Sequence, residues 1–302
     1  MSQNIKETII KPSLRYRVTN AAMDFANHKL NGIVKRYMGK QMQPQKEPVA
    51  FNDKYKKRVH IIAEVYKGRP VYTLIPKGRI VPDREIVFIH GGGGVMPPTA
   101  LHMDVAVSIA EKTGIPVNFL MYPLAPEANC ALAFSWLEDW YEERRSCSPN
   151  KGFYVIGDSA GAGLSTALCH GGREQIEGVI LISPAAALDE KERYMASYEE
   201  HDILLSMDLM DTISQQWGKG MDITDWRINS AYVDYTGFPK TMIIYGGNEM
   251  FAGTIHLMVK KIEDAGVELN IYKGEIHCHD WALVQLLPEA KEVLKLICEF
   301  LS

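Results

Sequence analysis

Long apolar runs are missing from this sequence. No stretch reaches the roughly 18 apolar residues that a membrane-crossing helix needs, and the opening Met1-Ser2-Gln3-Asn4 lacks the apolar core of a secretory signal. Stable membrane insertion is therefore not expected. Cysteine is also scarce. The five residues Cys130, Cys147, Cys169, Cys278 and Cys298 are odd in number, scattered and without a CxxC pair, so they suggest neither a disulfide framework nor a zinc site, and a reducing cytoplasm is the expected compartment. A strong charge of one sign is absent too. The formal net charge of −4 gives no sequence-wide attraction to a polyanion, which argues against DNA and RNA as partners. Repeats and low-complexity blocks are lacking. What remains, 46% hydrophobic and 23% charged residues over 302 positions, has the composition of an ordinary globular protein, and the length suits one large α/β domain with a subdomain.

Charge is unevenly distributed. Residues 1–47 hold nine Lys/Arg against Glu7, Asp24 and Glu47. Leu14, Val18, Ala21, Phe25, Leu30, Ile33, Val34 and Tyr37 recur there at helical spacing, which predicts one or two amphipathic helices packed on their own protein rather than on a membrane surface. The Pro44–Pro48 stretch has the character of a linker. From Arg58 onward, short apolar β-rich runs (Val59–Tyr66, Pro70–Ile75, Ile86–His90) are punctuated by Gly and Pro. Further strands at Val117–Tyr122, Phe153–Ile156, Gly178–Ile182, Thr241–Tyr245 and Glu268–Tyr272 then alternate with helices at Ala100–Lys112, Ala131–Arg145, Ala162–His170, Thr254–Ala265 and Glu289–Leu301. That alternation predicts an α/β fold with a mostly parallel sheet and helices on both faces. Ala185–Phe238 breaks the rhythm with charged, Met- and Trp-containing helical sequence and has the character of an insertion.

Two motifs carry chemistry. Gly157-Asp158-Ser159-Ala160-Gly161 stands between an apolar strand and a helical run, the setting of a G-x-S-x-G nucleophile elbow. A sharp strand-to-helix turn strains the serine backbone and needs small neighbours, while the helix N-terminus beyond it favours developing negative charge. His90-Gly91-Gly92-Gly93-Gly94 ends the third strand. Backbone N–H groups reach a substrate oxyanion only where no side chain intervenes, and a glycine run supplies that. A phosphate loop is disfavoured, because no Gly-Lys-Ser/Thr follows and the spacing is not G-x-G-x-x-G.

His90–Gly93, Tyr122-Pro123-Leu124-Ala125-Pro126-Glu127 and Gly157–Gly161, in that order, resemble the hormone-sensitive-lipase-like branch of the α/β-hydrolases over roughly residues 58–302. The resemblance implies an eight-stranded, mostly parallel sheet, a helical cap formed by residues 1–47 and 185–238 over a core of 48–184 and 239–302, and ester hydrolysis without a cofactor. It places the acid after the strand that follows the cap, at Glu249, and the histidine after the last strand, at His279. Most members carry Asp where Glu249 stands. The implied roles are Ser159 as nucleophile, His279 as base, Glu249 as its orienting acid, and the N–H groups of Gly92, Gly93 and Ala160 as oxyanion hole. His90 is expected to brace the glycine loop. Of the two imidazoles near the last strand, His279 is preferred over His277, because His279-Asp280-Trp281 matches the family's His-Asp-Trp.

His277-Cys278-His279-Asp280 offers metal ligands but lacks further spaced ones, so no metal is expected. Trp217, Phe251 and Trp281 are expected in core or cap packing, near enough to serve as pocket walls. Gly157–Gly161 also resembles the Gly-Asp-Ser-Gly-Gly of chymotrypsin-like proteases, but those place His and Asp before Ser on an all-β fold. A non-catalytic small-molecule receptor on the same fold is the other alternative, and His279 argues against it. A lactone or an amide could replace the ester. The expected partner is a small-molecule ester with a short acyl chain, with homodimer formation left open.

Overall fold

A computed structural model describes residues 5–22 and 51–302 of the chain. Residues 86–89, 153–156 and 179–182 are continuous apolar runs, as strands buried on both faces must be. They form the middle of a nine-stranded sheet: β1 Ile5–Ile10, β2 Val59–Tyr66, β3 Arg69–Pro76, β4 Arg84–Ile89, β5 Val117–Leu120, β6 Gly152–Asp158, β7 Ile176–Ile182, β8 Lys240–Gly246 and β9 Leu269–Gly274. The spatial order is β1-β9-β8-β7-β6-β4-β5-β3-β2. β3 runs antiparallel to β2 and β5, and the other pairings are parallel.

The sheet separates two apolar layers. Val87, Ile89, Val155, Val179 and Leu181 face one, and Ile86, Phe88, Tyr154, Ile156, Ile180 and Ile182 face the other, which is the period-two alternation of a pleated strand. Helices cover both faces. Thr99 caps the helix Ala100–Thr113 through a capping box with His102, and Gly114 ends it in the left-handed region. Asn129 caps Cys130–Ser146, and Pro288 opens the last helix, Pro288–Phe300.

The strand count exceeds the expected eight by one, and the reason lies in the basic segment. Ile5–Ile10 pairs in parallel with Leu269–Gly274 at the sheet edge, so that part of residues 1–47 is sheet rather than helical cap. Residues 14–22 are helical, but Leu14 and Val18 of the expected apolar stripe are 78% and 63% exposed. The residue that this turn buries is Tyr16, whose hydroxyl accepts the Cys278 N–H at 2.7 Å and whose ring lies tilted against that of His277, with centroids 4.2 Å apart. The remainder of the stripe, from Phe25 to Tyr37, and the Pro44–Pro48 linker lie outside the described residues. Between β7 and β8 the chain is helical: short turns from Leu188 to Tyr198, the helix Met207–Trp217 and a turn at Ser230–Tyr232. Among the described residues, no helix is long and apolar enough to cross a membrane.

Candidate active site

The site lies beyond the carboxyl ends of the parallel strands, where open α/β sheets bind ligands. β6 delivers Ser159 in a backbone conformation of φ 50° and ψ −119°, which is strained for a side-chain-bearing residue. The turn is locked by the Ser159 N–H, which donates to Ile182 O at 2.8 Å, and by the helix Ala160–Leu168 that follows. A Cβ on Gly161 would lie 2.1 Å from Ile89 O, so the close approach of the start of this helix to the end of β4 admits only glycine. That is the steric content of the G-x-S-x-G spacing.

Ser159 Oγ lies 2.9 Å from His279 Nε2. On the other side of the imidazole, Nδ1 faces Glu249 Oε1 at 3.9 Å, beyond hydrogen-bond length, and both atoms are buried without another partner. Glu249 is fully buried at the end of β8, where its Oε2 accepts from the Gly246 N–H at 2.9 Å and from Ser183 Oγ at 2.7 Å. Burial pushes the Glu249 carboxyl above its usual range, outweighing the opposing pull of His279, Gly246 and Ser183. Burial works against a charged His279, but Asp280 and Glu249 outweigh it and hold the imidazole well above its ordinary value. Phe251 covers the ring edge-on, with centroids 5.2 Å apart.

Gly92, with φ 101°, carries the glycine loop through a turn that favours glycine. Among the described residues, no protein acceptor takes the N–H of Gly92, Gly93 or Ala160. The loop is fixed from beneath. Asp158 Oδ2 accepts from the Gly91 N–H and meets His102 Nε2, each at 3.0 Å. Burial opposes protonation of His102, but Asp158 overcomes it and raises its pKa. His90 is fully buried, stacks on Tyr122 at 4.6 Å and has Nδ1 2.7 Å from Gly91 O. The structure thus puts Ser159, His279 and Glu249 in one line with the glycine loop beside them. His277 stands apart from that line, fully buried between Tyr16 and Trp281, with Nε2 3.3 Å from Glu289.

Three contributors escaped sequence reasoning. Ser183 holds Glu249, and Asp202 from the β7–β8 connection accepts the Met250 N–H at 2.8 Å, clamping the turn that carries the acid. Asp280 places Oδ2 3.2 Å from His279 Nε2. Ser183 directly follows an apolar strand and Asp280 follows the histidine, so position was a signal for both, whereas Asp202 had none.

A cavity of about 670 Å³ opens above Ser159. Leu188, Met210, Ile213 and Trp217 of the β7–β8 connection line it together with Tyr16 and Phe251. Trp281 also reaches it, so the aromatic residues assigned to packing are wall residues as well. Among the described residues, no cluster of His, Cys, Asp or Glu could hold a metal ion.

A family model for the alpha/beta hydrolase fold matches residues 86–283. An esterase of Acinetobacter venetianus is 28% identical over 235 residues, covering 74% of this chain and 76% of the relative. An acetyl-hydrolase of Streptomyces hygroscopicus is 24% identical over 72% of this chain and 75% of its own length. A crystal structure of a hormone-sensitive lipase from a metagenome library superposes with a TM-score of 0.79 at 21% identity, over 96% of this chain and 98% of that one. With an elbow serine on the central strand, a glycine loop beside it and a matched span of about two thirds of the sequence, the chain belongs to the α/β-hydrolase family.

Proposed function

We propose that this carboxylic-ester hydrolase works through an acyl-enzyme on Ser159 and acts on short-chain acyl esters. The contact of 2.9 Å between Ser159 Oγ and His279 Nε2 carries the reading. As Oγ attacks the ester carbonyl carbon, its proton passes to Nε2, and the carbonyl oxygen becomes an anion facing the N–H groups of Gly92, Gly93 and Ala160. Nε2–H then protonates the departing alcohol as the ester C–O bond breaks. Water repeats the sequence: it gives a proton to Nε2, its oxygen adds to the acyl carbon, and the acid leaves as Oγ recovers its proton. Glu249 stays ionised, orients the imidazole and stabilises its cation.

The apolar lining favours uncharged acyl and alcohol groups. Ile213 and Trp217 press on the glycine loop so closely that a Cβ on Gly93 or Gly94 would collide with them, which narrows the space over the serine and supports short acyl chains. Residues 14–22 and 185–238 act as the cap in this reading, over a core of 51–184 and 239–302, and a cytoplasmic setting fits the free thiols. A panel of p-nitrophenyl esters from acetate to palmitate tests it. Turnover should be highest at the short end and vanish in Ser159→Ala, while an organophosphate should add one phosphoryl group, on Ser159. Labelling elsewhere with activity retained would overturn the assignment, and fastest turnover of palmitate would overturn the chain-length proposal.

A further inference from the structure

We propose that Asp280 is a second carboxylate partner of His279, one that binds Nε2 itself, competes with Ser159 for it, and so sets the pH at which the nucleophile becomes active. The proposal rests on the serine-esterase reading above.

Two oxygens share one nitrogen. His279 Nε2 has Ser159 Oγ at 2.9 Å and Asp280 Oδ2 at 3.2 Å. To take the serine proton, Nε2 must present a lone pair, and a lone pair facing an ionised carboxylate at this distance is repelled. The contact becomes attractive when a proton lies between them. Asp280 is also held where it stands. Its backbone is left-handed, φ 54° and ψ 23°, which is uncommon for a side-chain-bearing residue, and its N–H donates to Ser183 Oγ at 3.0 Å. Its Oδ1 is buried without a partner, so the carboxylate meets His279 through Oδ2.

The surrounding charges favour that arrangement. His279 is faced by Glu249 across Nδ1, by Asp280 across Nε2 and by the neighbouring Cys278, whose thiol burial pushes up to about 12 and leaves uncharged. Asp280 in turn faces Asp158 and His102, which are paired with each other at 3.0 Å. Burial, with Asp158, pushes the Asp280 carboxyl up against the opposing pull of His279 and His102, and Asp280 and Glu249 both raise the pKa of His279 against the effect of burial. When Nε2 carries a proton, Ser159 and Asp280 share it. Activation is the loss of the Nε2 proton to solvent through the cavity that Asp280 lines. After that loss, Ser159 Oγ–H can donate to Nε2 and the attack begins.

Phosphorylation of Ser159 by diethyl p-nitrophenyl phosphate isolates this step, because it needs the base but no deacylation. The rate is measured against pH for the intact protein, for Asp280→Asn and for Asp280→Gly, the last because glycine accepts the left-handed backbone at no steric cost. Both variants should move the acid limb down by about one pH unit or more. Near pH 6 their rate relative to their own alkaline plateau should then rise roughly tenfold over that of the intact protein. A residue that only shaped the loop would change the plateau and leave the midpoint in place. Midpoints that coincide in all three proteins, or that rise in the variants, would overturn the role of Asp280 and leave the esterase reading intact. No labelling of the intact protein at any pH would overturn both.

Discussion

Ser183 Oγ donates to Glu249 Oε2 at 2.7 Å, so the hydroxyl at the end of one strand holds the carboxylate at the end of the next. The same oxygen accepts the Asp280 N–H at 3.0 Å, which ties the acid and the base loop to one atom. Ser183→Ala should leave the buried carboxylate with one donor fewer, at a cost of about 1–3 kcal/mol in stability. It should also lower kcat several-fold by loosening both loops. Denaturant midpoints and kcat measured side by side check this, and native values of both would show that the Gly246 N–H alone suffices.

Glu249→Gln keeps the shape of the acid and removes its charge. The imidazolium that forms during attack then loses its partner at Nδ1, and kcat should fall by about 10²–10⁴-fold with the fold retained, as when a triad acid is neutralised. Steady-state kinetics with p-nitrophenyl butyrate, together with a circular dichroism spectrum, decide it. A change of less than about threefold would remove Glu249 from the mechanism.

His90 gives a pH signature in stability rather than in rate. Burial, reinforced by the nearby His102, depresses its imidazole from 6.5 to about 3, against the smaller raising effects of Gly91 and Asp158. The folded protein therefore keeps His90 neutral while the unfolded chain protonates it below pH 6.5. The stability that His90 contributes is complete above that pH and is lost as pH falls from 6.5 towards 3, at about 1.4 kcal/mol per unit. His90→Gln should lack this component. Subtracting its unfolding free energy from that of the intact protein across this range should give a falling line, and a flat difference would mean that His90 is protonated in the fold.

Gly163 lies on the helix behind Ser159 and lines the cavity, and a Cβ added there would meet no atom within 4 Å. Gly163→Leu should therefore be accepted and should stabilise the helix by up to about 1 kcal/mol. It should also lower kcat/KM for octanoate more than for acetate, because the new side chain occupies room that a longer acyl chain would use. Equal effects on both esters would place that chain elsewhere.

Much of the core was legible because it is locally coded. The strands Val117–Leu120 and Ile176–Ile182 and the helix Pro288–Phe300 lie within a few residues of the spans predicted from periodicity alone, and the elbow could be placed because its G-x-S-x-G spacing stands between an apolar strand and a helical run. Ile5–Ile10 was hidden for the opposite reason. Lys6, Glu7 and Thr8 interrupt its apolar residues, and as an outermost strand it pairs on one side, so neither continuous apolarity nor clean alternation marked it. Asp202 and Ser183 reach the acid turn across 48 and 66 positions of chain, a relation that no local pattern encodes. The approach of Asp280 to Nε2 depends on a left-handed backbone that its residue type does not announce.

The pairing of Ile5–Ile10 with Leu269–Gly274 also orders events during synthesis. The first strand leaves the ribosome early and finds its neighbour only after more than 260 further residues have been made. Until then its ladder groups face water, and β9 has an open outer edge as soon as it forms, the kind of edge that invites pairing with another chain. Because closing so long a loop is slow, the sheet should grow outward from β2–β7 to β8 and β9 before its outermost strand is added. The Glu275 N–H, which donates to Ile10 O at 2.9 Å, fastens the end of that strand to the start of the loop carrying His279. The last strand to join the sheet is thereby tied to the base, so a nascent chain would gain its hydrolytic competence late, after most of its sheet is in place.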